Sequence, residues 1–109
     1  MPALSDTQKL HLTFRVEPGC LGPDGANYVD DFCAFAQTRF GDIDKEFIRW
    51  EITPRNDKSL PETEYRVNEK KLDADKAERY LRALEHNLDE VEDHLHSTLA
   101  TLIDEFMRG

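Results

Sequence analysis

Apolar residues recur at steps of three or four positions along the last third of the chain, the spacing of one amphipathic α-helix. The stripe consists of Ala77, Leu81, Leu84, Leu88, Val91, Leu95, Leu99, Leu102 and Phe106. Asp73 is the predicted N-cap, and Asp75 in the first turn suits the positive end of the helix dipole. A single helix over residues 73–107 would be about 52 Å long, at ~1.5 Å per residue.

Three shorter segments upstream alternate apolar and polar residues, which is the pattern of β-strands that bury one face. Their apolar positions are Leu10, Leu12, Phe14 and Val16 in the first strand, Ile48, Trp50 and Ile52 in the second, and Tyr65 and Val67 in the third. Between the first two strands, a helix that ends at Gly41 is predicted from the stripe Val29, Phe32, Cys33, Ala36 and Phe40.

The order of the elements predicts the α+β class, as a two-layer β-α-β-β-α sandwich with a three-stranded mixed sheet. A right-handed crossover would place strands one and two parallel, and strands two and three would form an antiparallel hairpin. Because every strand alternates, both helices should cover one face of the sheet and leave the other face polar and open. Residues 1–8 are predicted to be a flexible N-terminus, and residues 9–109 a single α+β domain.

The long C-terminal helix predicts a homodimer. Strands of about eight residues, at ~3.3 Å each, would span only about half of its length. A second copy of the chain is the simplest cover for the rest, through Leu95, Leu99, Leu102, Ile103 and Phe106. Two alternatives stay open: a break near residues 96–98 that folds the end back as a third helix, and capture of a different protein.

Composition excludes some partners without naming one. The 109 residues have a formal net charge of −9, with 39% hydrophobic and 34% charged residues. This acidic balance disfavours nonspecific binding to nucleic acid and to anionic membranes. No apolar run approaches the ~18 residues of a transmembrane helix, and residues 1–9 lack the pattern of a signal peptide. With Cys20 and Cys33 as the only cysteines, we expect free thiols, a cytoplasmic location and no cofactor.

His86, Glu90 and His94 lie at steps of four, so all three would project from the same side of one continuous helix. Two imidazoles and a carboxylate at this spacing are able to bind a transition metal. That side lies about 180° from the apolar stripe, at ~100° per residue, so the group would be bare to solvent. The three residues are therefore weak candidates, and no metal site is predicted.

Two charged surfaces are candidates for contact with a partner. The acidic surface, which would suit a basic protein, consists of Glu85, Asp89, Glu92 and Asp93. The basic surface, which would suit an acidic ligand or peptide, consists of Arg15, Arg49 and Arg66 on the open face of the predicted sheet. The structural alternatives are a hydrated acidic helix face and ion pairs between neighbouring strands.

Together these features predict a small acidic binding or regulatory protein without catalysis, a homodimer that neutralises or bridges a basic protein partner. One rival is a small-ligand or metal-dependent enzyme, built on the His/Glu helix face or on Cys20 with His11. Another rival is a subunit of a hetero-complex, in which a different chain would cover the apolar end of the C-terminal helix.

Overall fold

The computed structural model describes residues 4, 5 and 7–108. Its strands and helices are β1 Leu10–Val16, α1 Gly25–Phe40, β2 Ile48–Pro54, β3 Thr63–Val67, β4 Lys70–Leu72, α2 Ala74–Ala83 and α3 Leu88–Arg108. A 3-10 turn at Pro18–Leu21 joins β1 to α1. Within the described part of the chain, no helix combines the length and the apolar character needed to cross a membrane. Residues 1–3 and 6 of the predicted flexible N-terminus lie outside the described residues, and Leu4 packs against the core.

The strands form one mixed sheet in the order β2-β1-β3-β4. β1 pairs with β2 in parallel, with Leu10 opposite Ile48, which confirms the predicted parallel pair. β3 runs antiparallel to β1, with Leu12 opposite Tyr65, so the predicted hairpin between the second and third strands is wrong. The connection at residues 55–62 has only to cross two strand spacings, about 10 Å. Because the connection crosses the sheet in this way, β1, with its four apolar residues, lies between β2 and β3.

A fourth strand, β4, extends the sheet beyond the three strands predicted. Asn68 and Glu69 form the turn between β3 and β4, with φ angles of 50° and 68°. Positive φ at both central residues marks the type I′ turn, whose twist matches that of an antiparallel pair. Glutamate is uncommon at such a position, so the chain lacks the Asn-Gly signal that would predict this hairpin.

The core lies between one face of the sheet and the helices that cover it. The predicted inward-facing residues of β1 and β2 are buried, as is Tyr65, whereas Val67 is partly exposed. Trp50 anchors the edge of this core: its ring lies 4.9 Å from the ring of Phe40, and its indole N–H donates to the carbonyl of Ile43 at 2.7 Å. One face of the sheet is thus buried against the helices.

The predicted single C-terminal helix is wrong, because the chain forms α2 and α3 with a connection at residues 84–87. Helix α2 ends in a Schellman motif, in which the backbone N–H of His86 donates to the carbonyl of Leu81 at 2.8 Å and that of Glu85 to Arg82 at 2.9 Å. Glu85 has a φ of 66°, the left-handed conformation that this motif requires. Two carbonyl groups at the helix end, those of Leu81 and Arg82, are therefore satisfied locally, and the axis changes direction.

Asn87 begins α3 as its N-cap, because its side-chain oxygen accepts a hydrogen bond from the backbone N–H of Asp89 at 2.8 Å. Asp89 and Glu90 in the first turn suit the positive end of the helix. From there α3 runs unbroken to Arg108, so the alternative break near residues 96–98 is not observed.

The apolar side of α3 is covered within the chain. Leu95, Leu99 and Leu102 are buried. Near the end of α3, the ring of Phe106 packs edge-on against that of Phe32 in α1, with centroids 5.4 Å apart and planes at 81°. The change of direction at residues 84–87 allows this contact, since it brings the stripe of α3 against α1.

The start of α1 approaches the 3-10 turn so closely that only glycine fits at position 25. A Cβ on Gly25 would lie 1.7 Å from the carbonyl oxygen of Pro18. Gly19, in the turn itself, would have no atom within 4 Å of an added Cβ. Replacement of Gly25 therefore requires the turn or the helix to move.

We expect Gly25→Ala to lower the free energy of unfolding by about 1–3 kcal/mol, the usual cost of overpacking a closely fitted site. Gly19→Ala is the matched control and should change it by less than about 0.5 kcal/mol. Urea unfolding followed by circular dichroism measures both. Equal stability of the two variants would contradict the close approach at Gly25.

Glu85→Gly tests the connection between α2 and α3. Glycine adopts positive φ without the cost of a Cβ, so we expect no loss of stability and a gain of up to about 1 kcal/mol. Ala100→Gly, at an exposed position inside α3, should instead cost about 1 kcal/mol. The same urea unfolding compares them. A loss of about 1 kcal/mol in Glu85→Gly as well would indicate that position 85 is helical.

Candidate functional site

A row of basic side chains crosses the open face of the sheet. The strand register places His11 of β1 opposite Arg49 of β2 and opposite Arg66 of β3, and Arg66 opposite Lys71 of β4. Directly paired residues project from the same face of a sheet, with strands ~4.8 Å apart. Arg49, His11, Arg66 and Lys71 therefore form one continuous line, called here the basic row.

A cavity of about 330 Å³ lies at this row, and is called here the basic cavity. Its lining is Thr7, Lys9, His11, Arg49, Arg66, Asn68 and Glu69. Lys9 lies in the bend just before β1 and lines the cavity together with His11. Glu69 is the one acidic residue among these lining groups, against the cations Lys9, Arg49 and Arg66. The cavity therefore has a positive local balance in a chain whose net charge is −9.

The next row along the sheet is acidic and neutralises part of the basic surface. The carboxylate of Glu64 forms one ion pair with the guanidinium of Arg15, with an N–O distance of 2.9 Å, and a longer one with that of Arg66, at 3.7 Å. Arg15 also donates to the carbonyl of Pro61 at 2.7 Å, and its side chain is only 12% exposed. Because Arg15 is nearly buried and bonded within the protein, it contributes little to the predicted partner surface.

Arg49 and Arg66 keep donors that no described residue accepts. Arg49 is exposed, and it forms no ion pair with any residue that the structure describes. Among the described residues, Nε of Arg66 is the buried side-chain polar atom that has no hydrogen-bond partner. A buried donor without an acceptor costs about 1–3 kcal/mol, and an oxyanion in the cavity is the natural acceptor for a guanidinium.

His11 lies between the two arginines, and its pKa is lowered from the ordinary value of 6.5. Partial burial is the main cause, and the charges of Arg66 and Arg49 act in the same direction. The carboxylate of Glu51, 3.3 Å from Nε2 of His11, partly opposes them. Since the two guanidinium groups disfavour the imidazolium, an anion bound between them would favour it.

The predicted acidic surface is not one continuous helix face. Glu85 lies in the connection between α2 and α3, outside both helices. Glu92 accepts a hydrogen bond from the hydroxyl of Tyr65 at 2.7 Å. Burial, and then this hydrogen bond, raise the pKa of Tyr65 above its ordinary value of 10.0. Asp89 and Asp93 remain exposed one turn apart on α3, and Glu85 is exposed in the connection before it.

The weak metal candidates are not brought together. His86 lies in the connection, and its ring stacks on that of Phe47 with centroids 3.5 Å apart. Nδ1 of His94 lies 2.8 Å from a carboxylate oxygen of Asp44. This bond is the main reason that the pKa of His94 is raised from 6.5. No group of three or more His, Cys, Asp or Glu side chains in the described residues is placed to hold a metal ion.

The structure places Cys20 and His11 on different parts of the chain. His11 lies near the start of β1, whereas Cys20 lies in the 3-10 turn that follows the other end of this strand, and the strand itself puts Val16 roughly 16 Å from His11, at ~3.3 Å per residue. Cys20 is exposed. Cys33 is buried in α1, and burial, with the nearby charge of Asp30, raises its thiol pKa to about 12. The thiol of Cys33 therefore lacks the environment of an activated nucleophile.

The five predicted self-association residues are largely internal. Leu95, Leu99 and Leu102 belong to the core, and Ile103 and Phe106 pack against it partly buried. The bare apolar stripe that predicted a homodimer is therefore not present. A dimer through this end of α3 stays a prediction, with Met107 as the exposed large apolar residue nearby.

Sequence reasoning found Arg49 and Arg66 but missed the residues that complete the cavity. Lys9 precedes the alternating segment that predicts the first strand, so the strand pattern does not include it. Lys71 extends the basic row but does not line the cavity, and it lies on β4, a strand that the sequence pattern did not predict.

No protein-family model, curated protein or solved structure matches the chain. The lining of the basic cavity suits an anion held by guanidinium and ammonium groups.

The two perturbed histidines should titrate on opposite sides of 6.5, His94 above and His11 below. The stabilisation from the His94–Asp44 pair is then full below pH 6.5 and is lost as pH rises through the folded pKa of His94. Protonation of His11 favours the unfolded chain, so its contribution to stability is lost as pH falls from 6.5 through its folded pKa.

NMR titration of the imidazole resonances measures both values. Asp44→Asn should lower the pKa of His94 and leave that of His11 unchanged, since Asp44 is the main cause only for His94. A common pKa for the two rings would show that neither environment persists in solution.

Proposed function

We propose that the protein is a small binding and regulatory protein that holds its ligand through an oxyanion, a phosphate or carboxylate group, in the basic cavity. The observation that carries the proposal is the strand register, which aligns Arg49, His11 and Arg66 across neighbouring strands. The sheet holds the Cα atoms of these residues at fixed separations, and all three side chains line the same cavity.

Charge and hydrogen bonding both support an oxyanion as the ligand group. Arg66 offers a buried Nε donor that no described residue accepts, and Arg49 is exposed on the other side of His11. Guanidinium groups bind carboxylate and phosphate through parallel, charge-assisted hydrogen bonds. A neutral ligand would leave these charges unused.

The negative charge of the whole chain narrows the class of ligand. At −9 the protein repels long polyanions such as nucleic acid. A cavity of about 330 Å³ is at the small end of ligand sites. We therefore favour a small anionic molecule over a nucleic acid or a membrane surface.

Inorganic phosphate is the probe for this proposal. We expect it to shift the amide resonances of residues 9–11 and 66–69 in a saturable titration at low ionic strength. Arg66→Gln should raise its dissociation constant about tenfold, since a hydrogen bond to a charged group contributes roughly 1.5 kcal/mol. Added sodium chloride should weaken binding because it screens the exposed charges.

Arg79→Gln is the charge-matched control, because Arg79 is exposed on α2 and lies outside the cavity lining. It should leave the dissociation constant within about twofold, as expected for a screened distant charge. Absence of saturable shifts, or equal weakening by the two substitutions, would contradict a localised anion site.

The remaining predictions about partners are separate from this proposal. The exposed carboxylates Asp89 and Asp93 could contact a basic protein, and a homodimer or a hetero-complex would involve surfaces other than the basic cavity. An enzyme built on the His/Glu helix face receives no support, because His86 and His94 are engaged with Phe47 and Asp44.

A further inference from the structure

A second cavity adjoins the basic cavity at the start of β2. Its volume is about 250 Å³, and its lining is Lys9, Gln37, Gly41, Lys45, Ile48, Arg49 and Trp50. Lys9 and Arg49 line both cavities. The two spaces are therefore neighbours that share a wall of basic side chains, one over the open sheet face and the other at the edge of the sheet.

The second cavity also has the chemistry of an anion site. Its charged lining residues are Lys9, Lys45 and Arg49, and no described residue in its lining is acidic. Lys45 is exposed and forms no ion pair with the residues that the structure describes. An ammonium group with three donors at the mouth of a cavity suits a second oxyanion.

At the edge of the sheet, backbone groups of β2 near the second cavity are already hydrogen-bonded within the protein. The side-chain amide of Gln37 donates to the carbonyl of Trp50 at 2.9 Å and accepts from the backbone N–H of Ile52 at 2.8 Å. The backbone N–H of Ile48 donates to the carbonyl of Asp44 at 2.8 Å. These bonds occupy outward-facing groups of β2, so an added peptide strand would have to displace Gln37. A small ligand needs no such displacement.

We propose that the ligand carries two anionic groups, one held in the basic cavity by Arg66 and Arg49 and the other in the second cavity by Lys45, with Arg49 and Lys9 between them. This rests on the proposed function, since it extends the same site. The chemical class is a small dianion with separated groups, such as a dicarboxylate. Lys45 then selects for ligands that bear the second group.

Linking two anions in one molecule makes the second contact intramolecular. The gain in affinity depends on whether the linker spans the two sites, and it falls again when the linker is too long. A series of linear dicarboxylates, from succinate to suberate, varies this length with the end groups unchanged. Acetate is the matched monoanion.

The test is NMR titration of the isotope-labelled full chain with acetate and with each dicarboxylate at constant ionic strength. We expect one length to bind at least about tenfold more tightly than acetate. That ligand should shift the amides of both cavities, around residues 9–11 and 66–69 and around residues 41–49, at the same concentration.

Substitutions separate the two contacts. Lys45→Gln should abolish the advantage of the best dicarboxylate and leave acetate binding unchanged, whereas Arg66→Gln should weaken both ligands. Lys58→Gln, in the exposed connection between β2 and β3, is the charge-matched control and should change neither. The amide spectrum of each variant reports directly whether it is folded.

Two results overturn the inference and leave the proposed function intact: no dicarboxylate binds more tightly than acetate, or Lys45→Gln weakens acetate and dicarboxylates equally. Absence of saturable shifts with acetate, dicarboxylates and inorganic phosphate alike overturns both. The failure of the second contact is thereby distinguished from the failure of the site.

Discussion

The register of β1 between β2 and β3 is the constraint on which the rest of the structure depends. Every second residue of β1 enters the core, and the residues between them face the open side, so one pairing defines both surfaces. With Leu12 opposite Trp50 and Tyr65, His11 falls opposite Arg49 and Arg66. A slip by one residue would bring charges into the core and apolar side chains to the cavity. The basic row is therefore as well determined as the core itself.

The apolar stripe of the C-terminal segment is longer than the strands that could cover it. The connection between α2 and α3 divides the stripe between two helices, so that both parts can pack within the chain. A straight helix would carry Leu99 and Leu102 beyond the sheet. The Schellman motif at Glu85 instead changes the direction of the chain, and the final turns of α3 then pack on α1 through Phe106 and Phe32. The chain thus buries within itself a surface that would otherwise favour self-association. The cost is a non-glycine residue at positive φ, which local hydrogen bonds offset.

The distribution of charge over the surface affects anion binding more than the net charge of the chain does. Most acidic residues lie on helices and connections, whereas Arg49, Arg66 and Lys9 gather at one end of the sheet. Glu64 and Glu51 accept bonds from Arg15 and His11 and so remove part of the basic surface. What remains is a small positive volume in a negative molecule. Such a site attracts a compact anion at short range while the net charge keeps long polyanions away.

Local patterns in the sequence determined the class of fold and most of the core. Two kinds of pattern depend only on residues that are near each other in the chain: the alternation around Leu12 and Trp50, and the helical stripe around Phe32. Both can therefore be recognised without a structure. The cap at Asn87, followed by an acid three positions later, is an equally local sign of a helix start, but the apolar spacing continues through it and so favours a single helix. Arg49 and Arg66 were identified for the same reason of alternation.

Tertiary structure alone decided which strands are neighbours and where the final helix packs. Nothing local distinguishes a hairpin of β2 with β3 from the pairing of β3 with β1, because both bury the same residues and the choice depends on the chain crossing the sheet. The convergence of Lys9 with Arg66, and the wall that Lys9 and Arg49 share, follow from that choice. Sequence therefore determined the faces of the elements, and only the packing of distant segments made a cavity between them.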